Sequence, residues 1–239
     1  MLLGARQFFE RRGGGWVNPY VTDGLVAMWD GEWNAGGGVH DANATTWVDL
    51  VGGKTISLPS SAQVLDNKMT FVEAANSSTI TYNTSKPVYS VFHTYRMLNP
   101  NQVSQSIFWL LSTGTSSSTG AYSWNSNTPL RVFRGVNWQS VVVQDYDAPC
   151  EIGNIYSISQ DSSSPDNVFA IYVNGVKIYE LAGANWIFGY EFATTGSYNI
   201  GAASDRPQDV YNIRLYNRAL TDAEIADNYS INRARFNLP

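Results

Sequence analysis

Residues 210–225 read VYNIRLYNRALTDAEI, and this stretch contains the clearest change of pattern in the 239-residue chain. The run 210–217 is rich in strand-forming residues, which predicts a β-strand. Thr221-Asp222-Ala223-Glu224 has the S/T-x-x-E form of a capping box, and Asp222 favours a helix N-terminus through the helix dipole. We therefore predict a last strand followed by one short helix of two or three turns that ends near Ser230.

Strand signals joined by turn residues dominate the chain before this point. Asn174-Gly175 lies between two such runs and is typical of a two-residue hairpin, because a type I′ turn needs positive φ at both central positions. About a dozen strands at this spacing, with no repeat of roughly 20–50 residues, predict a sandwich or barrel. The runs are 24–29, 45–50, 79–83, 88–98, 106–112, 121–124, 130–133, 139–144, 152–160, 168–173, 177–181, 197–202 and 210–217.

Several segments together resemble the concanavalin A-like, laminin G-like jelly-roll family. GLVAMW at 24–29 is similar to its first core strand, and WVDL at 47–50 with Gly52-Gly53 is similar to its W-x-D-L-S-G-N-G segment. YVNGV at 172–176, NIG at 199–201 and NIRLYNRALTDAEI at 212–225 resemble its hairpin, closing portion and ending. The resemblance covers about residues 20–230. It implies an all-β, two-sheet antiparallel β-sandwich (jelly roll) with one short C-terminal helix.

Length and composition favour one domain and exclude some partners. All-β sandwiches often run to about 250 residues as one unit, so we assign 16–239 to the jelly-roll domain. Residues 1–15, which end in three glycines, are assigned to an N-terminal arm or anchor. The net charge of −5 and the lack of a basic patch disfavour nucleic acid. We expect neither membrane insertion nor a secretory signal, because no apolar run has the required length.

The sequence offers little for catalysis. Retaining glycosidases need two carboxylates about 5–5.5 Å apart, and the E-x-D-x-x-E strand that supplies them is absent; Asp145 and Asp147 lie in a turn-like segment. Cys150, the single cysteine, is predicted to be a buried apolar residue. No G-x-S-x-G turn accompanies His40 or His93. We expect no catalytic residues, with a polysaccharide-cleaving jelly roll as the enzymatic alternative.

Aromatic residues near polar segments are the candidates for ligand binding. An indole can stack on the apolar face of a sugar ring while amides and hydroxyls bond the sugar's OH groups. The predicted ligand-binding residues are Trp33, His40, Asp41, Trp124 and Trp138, with core packing as the competing interpretation for the tryptophans. Trp29, Trp47 and Trp109 lie in apolar strands and are expected in the core.

Calcium is a separate hypothesis that the family resemblance raises. Calcium takes about six to eight oxygen ligands, and carboxylates cluster in sequence at Asp30, Glu32 and Asp41 and at Asp205 and Asp209. No D-x-D-x-D-G pattern occurs, so turn capping is the favoured role for these residues. We therefore expect no cofactor and assign no metal ligand, leaving structural calcium open.

The family resemblance implies binding and adhesion, often toward glycans. DGEWN at 30–34, HD at 40–41, ATTW at 44–47 and the ending NRARFNLP at 232–239 also resemble proteins of gut bacteria and their phages. We expect a non-catalytic phage virion protein (head fibre, decoration or tail adhesin) that displays a glycan-binding domain. It would be made in the host cytoplasm and located on the virion surface.

The expected partners follow from this hypothesis. They are a glycan or cell-surface polysaccharide and a virion protein contacted by the N-terminal arm, and the protein itself would form a homotrimer. The alternative is a bacterial carbohydrate-binding or adhesion module at the cell surface. Fold alone does not decide between these functions.

Overall fold

The computed structural model describes residues 17–33, 41–58, 62–71, 78–83, 90–98, 105–112, 118–123, 130–134, 137–141, 149–157, 168–182, 195–200 and 208–239. For 78–83, 97, 105–112, 118–123, 130–134, 137–141, 154–157, 181–182 and 195–200 it describes the backbone only.

Within these residues the chain forms sixteen strands and one helix. The strands are β1 (Leu25–Asp30), β2 (Thr46–Val48), β3 (Thr55–Ser57), β4 (Ala62–Leu65), β5 (Lys68–Phe71), β6 (Ser78–Asn83), β7 (Ser90–Met97), β8 (Gln105–Ser112), β9 (Ser118–Ser123), β10 (Leu130–Arg134), β11 (Asn137–Val141), β12 (Cys150–Ser157), β13 (Val168–Val173), β14 (Val176–Ala182), β15 (Thr195–Ile200) and β16 (Gln208–Tyr216). The helix is α1 (Asp222–Phe236).

The strands build two large antiparallel sheets and one small ribbon. The eight-stranded sheet has the order β14-β13-β12-β7-β16-β5-β4, and β1 also pairs with β16. The six-stranded sheet has the order β11-β10-β9-β8-β15-β6, and β2 pairs with β3. These antiparallel sheets and the C-terminal helix confirm the predicted all-β class.

Each predicted run coincides with a strand, but three strands were missed. β3 is only three residues long, and β4 and β5 are four residues each. A two-residue turn at Asp66-Asn67 joins β4 to β5. Runs this short carry too few alternations for a periodic pattern to stand out.

The core of the eight-stranded sheet centres on β16, whose nine residues are all buried. β16 pairs with β7 on one side and with β5 and β1 on the other. Trp29 and Trp47, both predicted to be core residues, are fully buried. The side chain of Trp109 lies outside the described residues, so its predicted core position stays a prediction.

The helix begins as predicted and ends later. Thr221 Oγ1 accepts from the Glu224 amide at 3.3 Å, and the Thr221 amide donates to Glu224 Oε2 at 2.9 Å, which is the predicted capping box. The predicted end near Ser230 was wrong, because α1 continues to Phe236. Buried side chains at helical spacing explain the extension: Ile225, Asn228, Asn232 and Phe236.

The Asn174-Gly175 hairpin has the predicted backbone. The φ angles are 51° at Asn174 and 75° at Gly175, as a type I′ turn requires. The Asn174 side chain also accepts from the Glu151 amide at 2.9 Å, which ties the turn to β12. A Cβ at Gly175 would lie 2.8 Å from the ring of Tyr229, so this glycine also permits close packing of α1.

Candidate functional site

The turn after β1 holds the predicted ligand residue Trp33. Asp30 is the last residue of β1 and is fully buried. Its Oδ1 accepts from the backbone amides of Glu32 at 3.0 Å and Trp33 at 3.3 Å. Asp30 therefore caps this turn, as predicted for the carboxylates, and fixes the backbone of a partly buried Trp33.

Arg235 near the end of α1 binds the same turn. Its Nη1 donates to Asp30 Oδ2 at 2.6 Å, and its Nη2 donates to Asp30 Oδ1 at 2.8 Å and Glu32 Oε2 at 2.9 Å. Burial alone would lower the pKa of Arg235, but the Asp30 charge, Tyr20 and the hydrogen bonds to Asp30 and Glu32 together outweigh it, and the net shift is upward. The guanidinium is thus a permanent cation held between two carboxylates.

This arrangement does not fit calcium. The Asp30 and Glu32 oxygens that a calcium ion would need already accept hydrogen bonds from Arg235. Asp41 is exposed, and its Oδ1 caps a turn by accepting from the Asn43 amide at 2.9 Å. Among the described residues no group of three or more His, Cys, Asp or Glu side chains is placed to hold a metal ion.

The second predicted carboxylate cluster consists of Asp205 and Asp209, and the structure describes only Asp209. Asp209 is buried; its Oδ2 accepts from Lys68 Nζ and its Oδ1 from Thr70 Oγ1, each at 2.6 Å. Asp205 lies outside the described residues. Asp209 therefore serves as the acceptor of an ion pair within the sheet rather than as an open ligand.

A second buried network joins α1 to the centre of the eight-stranded sheet. Glu151 Oε2 accepts from Arg214 Nη2 and from Asn232 Nδ2. Asn232 Nδ2 also donates to Thr94 Oγ1 at 3.0 Å. All of these side chains are buried. A buried charge is tolerated when it is paired and hydrogen-bonded, so this network fixes where the helix lies on the sheet.

Aromatic rings enclose the Arg214 guanidinium. Its central carbon lies 4.5 Å from the ring centroid of Tyr20 and 5.2 Å from that of Phe92. Tyr20 Oη in turn donates to Asn232 Oδ1 at 2.5 Å and accepts from Arg235 Nη1 at 2.5 Å. Tyr20 therefore links the two networks, and both serve the packing of α1.

The described nucleophile and base candidates are sequestered. Burial lowers the pKa of His93 from its ordinary 6.5 to about 3, so the imidazole is neutral near neutral pH. Burial raises the pKa of the Cys150 thiol to about 12, with the Glu151 charge adding to the shift. Cys150 is buried in β12, as predicted, and its thiol is protonated rather than the thiolate that attack requires. His93 is neutral but fully buried, so a substrate does not reach it, and its low pKa makes it a weak base.

Of the other predicted ligand residues, only Asp41 and the backbone of Trp138 are described. Trp33 follows β1 of the eight-stranded sheet, whereas Trp138 belongs to β11 of the six-stranded sheet. His40 and Trp124 lie outside the described residues, as do Asp145 and Asp147. The described residues thus give two separate candidate positions, one in each large sheet.

In the six-stranded sheet, directly paired residues, one from each strand, form a row that includes Trp138; we call this row the line. Trp138 pairs with Phe133, Phe133 with Gly120, and Gly120 with Trp109. The line continues from Trp109 to Asn199 and Thr79. Sequence reasoning missed this juxtaposition, because residues from six strands meet only once the strand order is known. The available signal was the aromatic residue in each of three of these runs: Trp109, Phe133 and Trp138.

Comparisons with known proteins bear on the fold. No protein-family profile matches the chain, and no curated protein sequence matches it. Among solved structures, a Trypanosoma rangeli sialidase in complex with sialic acid has a TM-score of 0.65 at 16% identity, over 86% of this chain and 32% of that one. The binding domain of botulinum neurotoxin serotype D has a TM-score of 0.62 at 11% identity, over 87% of this chain and 52% of that one.

These similarities show a shared β-rich fold. The chain spans about a third of the sialidase and about half of the toxin chain, so it corresponds to a part of each. Among the described residues, no helix has the length and apolar character needed to cross a membrane.

Proposed function

We propose that this chain is a non-catalytic glycan-binding domain, a jelly-roll sandwich of the two large sheets that is displayed on a phage virion. The observation that carries the proposal is the fold match over 87% of the chain to a toxin domain whose own role is binding. The match to one part of a sialidase that was solved with sialic acid adds a carbohydrate-related neighbour. Two-sheet jelly rolls are a common form of lectin domains.

The buried carboxylates support a non-catalytic role. Asp30 pairs with Arg235, Glu151 with Arg214, and Asp209 with Lys68. Each carboxylate is thereby held by a cation that also ties two elements together. General acid catalysis by a glycosidase needs a carboxyl group whose proton is available to the substrate, and these three are committed to packing.

The virion part of the proposal rests on the sequence resemblances at 30–34, 40–47 and 232–239. In this proposal residues 1–15 attach the domain to a virion protein, and three copies form the appendage. The glycan-binding part then faces the host cell or its mucosal surroundings. A bacterial surface module would share the binding chemistry and differ in what carries it.

A glycan array tests the binding function. The purified full chain is applied to neutral and sialylated oligosaccharides and to gastric mucin, and we expect binding to at least one class. Release of shorter sugars from a bound polysaccharide would instead establish the enzymatic alternative. Binding to none of the probes would contradict a glycan-binding role.

Particle proteomics tests the location. Phage particles from the source are purified and their proteins quantified by mass spectrometry, with expected recovery of this chain in fixed ratio to capsid or tail proteins. Deletion of residues 1–15 is expected to abolish incorporation. Absence from particles, or incorporation of the deleted form, would overturn the virion assignment and favour the bacterial module.

A further inference from the structure

The backbone register divides the six-stranded sheet into two faces. Directly paired residues on antiparallel strands share a face, and alternate residues along a strand belong to opposite faces. One set of positions holds most of the aliphatic residues, together with polar residues such as Arg134 and Gln139, and we call it the aliphatic face. It includes Ile80, Phe108, Leu110, Ala121, Val132 and Ile200.

The opposite set of positions mixes large aromatic residues with small polar ones, and we call it the aromatic face. Across the six strands it includes one charged residue, Arg131. Its other members include Thr79, Thr81, Trp109, Leu111, Gly120, Tyr122, Phe133, Trp138, Ser197 and Asn199.

The compositions of the two faces predict that one packs on the core and the other does not. An antiparallel sheet with one face on the core and one in water alternates apolar with polar residues along its strands. The aliphatic face is the more apolar of the two, as a core layer is. Six hydroxyl and amide residues of β6 and β15 belong to the other face: Thr79, Thr81, Asn83, Thr195, Ser197 and Asn199. Large aromatic residues on an otherwise polar face are typical of a binding surface.

We propose that the aromatic face binds a neutral oligosaccharide along the line Trp138–Phe133–Gly120–Trp109–Asn199–Thr79. This inference rests on the proposed glycan-binding function and names its site. It also assigns Trp109 to the ligand surface rather than to the core. The aromatic positions supply stacking surfaces for sugar rings, and Asn199 and Thr79 supply hydrogen-bonding groups at one end.

The spacing of the line indicates a ligand of several sugar units. Trp138 and Trp109 are three strands apart, which corresponds to about 14 Å at the usual spacing between strands. Gly120 lies between Phe133 and Trp109 and contributes no side chain, so it leaves room on the line. The scarcity of charge favours a neutral glycan over an anionic one.

The test compares variants of the full chain on one array. The probes are cello-, xylo-, manno- and malto-hexaoses together with sialylated oligosaccharides. The variants are Trp138→Ala, Trp109→Ala, Gly120→Leu and Trp33→Ala, and Gln139→Ala is the matched control next to Trp138 on the aliphatic face. Affinity for the best-bound hexaose is measured by calorimetry, and folding is followed by thermal unfolding.

We expect Trp138→Ala and Trp109→Ala to weaken binding at least about tenfold, with unchanged unfolding temperatures, because truncated aromatic anchors carry most of the energy of such surfaces. Gly120→Leu should weaken binding by blocking the line, and Gln139→Ala should stay within about twofold.

Four results would overturn the inference. Wild-type affinity in both tryptophan variants would show that the glycan does not bind along this line, and the proposed glycan-binding function would be unaffected. A loss confined to Trp33→Ala would place the site at the β1 turn. A large fall in unfolding temperature for Trp138→Ala and Trp109→Ala would place these residues in the core. Failure of the wild-type chain to bind any probe would remove the function and the site together.

Discussion

The two large sheets use polar residues in different ways. In the eight-stranded sheet, Arg214, Glu151 and Asp209 are buried and paired, and α1 closes the network through Asn232. In the six-stranded sheet, the register instead collects Trp, Asn, Thr and Ser on one face, with a single arginine. Charged groups thus specify the packing of one sheet, whereas the proposed binding site on the other sheet consists of neutral polar and aromatic residues.

Removing Arg214 should give the largest change in stability. Arg214→Met leaves the Glu151 carboxylate buried without its cation, and the expected loss is about 3–5 kcal/mol of unfolding free energy in urea titrations. The matched control is Arg214→Met with Glu151→Met, which removes both charges and should recover much of that loss. Equal losses in the single and double variants would show that the pair does not specify the packing of α1.

Acid should weaken the same sheet through His93. The native pKa is about 3 and the unfolded value about 6.5, so between these values the unfolded chain binds more protons. Stability should therefore fall as pH drops from about 6.5 toward 3, by up to about 1.4 kcal/mol per pH unit from this residue. Urea titrations at several pH values measure the slope. His93→Gln should flatten it; the same slope in this variant would assign the effect to another group.

Substitutions at Gly175 and Gly53 distinguish the stability cost of a steric contact from the cost of backbone strain. Both have positive φ, but a Cβ at Gly175 would lie 2.8 Å from Tyr229, whereas a Cβ at Gly53 would meet nothing within 4 Å. Gly175→Ala should cost about 1–3 kcal/mol, and Gly53→Ala should cost less. Thermal unfolding of both variants gives the comparison. Equal losses would mean that the contact with α1 adds nothing.

The cap of α1 should give the smallest effect. Thr221→Ala removes the side-chain acceptor for the Glu224 amide and should cost about 1 kcal/mol.

The Arg218 hydrogen bond, with help from Thr221, lowers the pKa of Glu224 from 4.5 to about 2. This stabilising contribution is complete above about pH 4.5 and is lost as pH falls toward 2. Urea titrations at pH 7 and pH 3 should show a smaller difference between wild type and Arg218→Ala at the lower pH.

Local chemistry could be predicted from the sequence, and long-range pairing could not. The Asn174-Gly175 turn and the capping box at Thr221 depend on neighbouring residues, and both were correctly predicted. The end of α1 was missed because Asn232 and Arg235 find their partners on distant strands; Arg235 and Asp30 are 205 positions apart.

The candidate site shows the same division. Trp138 was selected because it lies in a polar, glycine-containing segment, but its neighbours Phe133 and Trp109 depend on strand order. Trp33 was selected for the same local reason, and its fixed position depends on the Arg235 ion pair. Sequence patterns thus identified individual aromatic residues, and only the pairing of strands grouped them.

Tryptophan oxidation tests the contrast between the two sheets most directly. The folded chain is treated with limiting N-bromosuccinimide, and the oxidation of each tryptophan is measured by peptide mass spectrometry. Trp29 and Trp47 are fully buried and should stay intact, which makes them internal controls. We expect early oxidation of Trp138 and Trp109 and protection of both by the best-bound hexaose. Resistance of Trp138 and Trp109 equal to that of Trp29, in the absence of any sugar, would contradict this expectation.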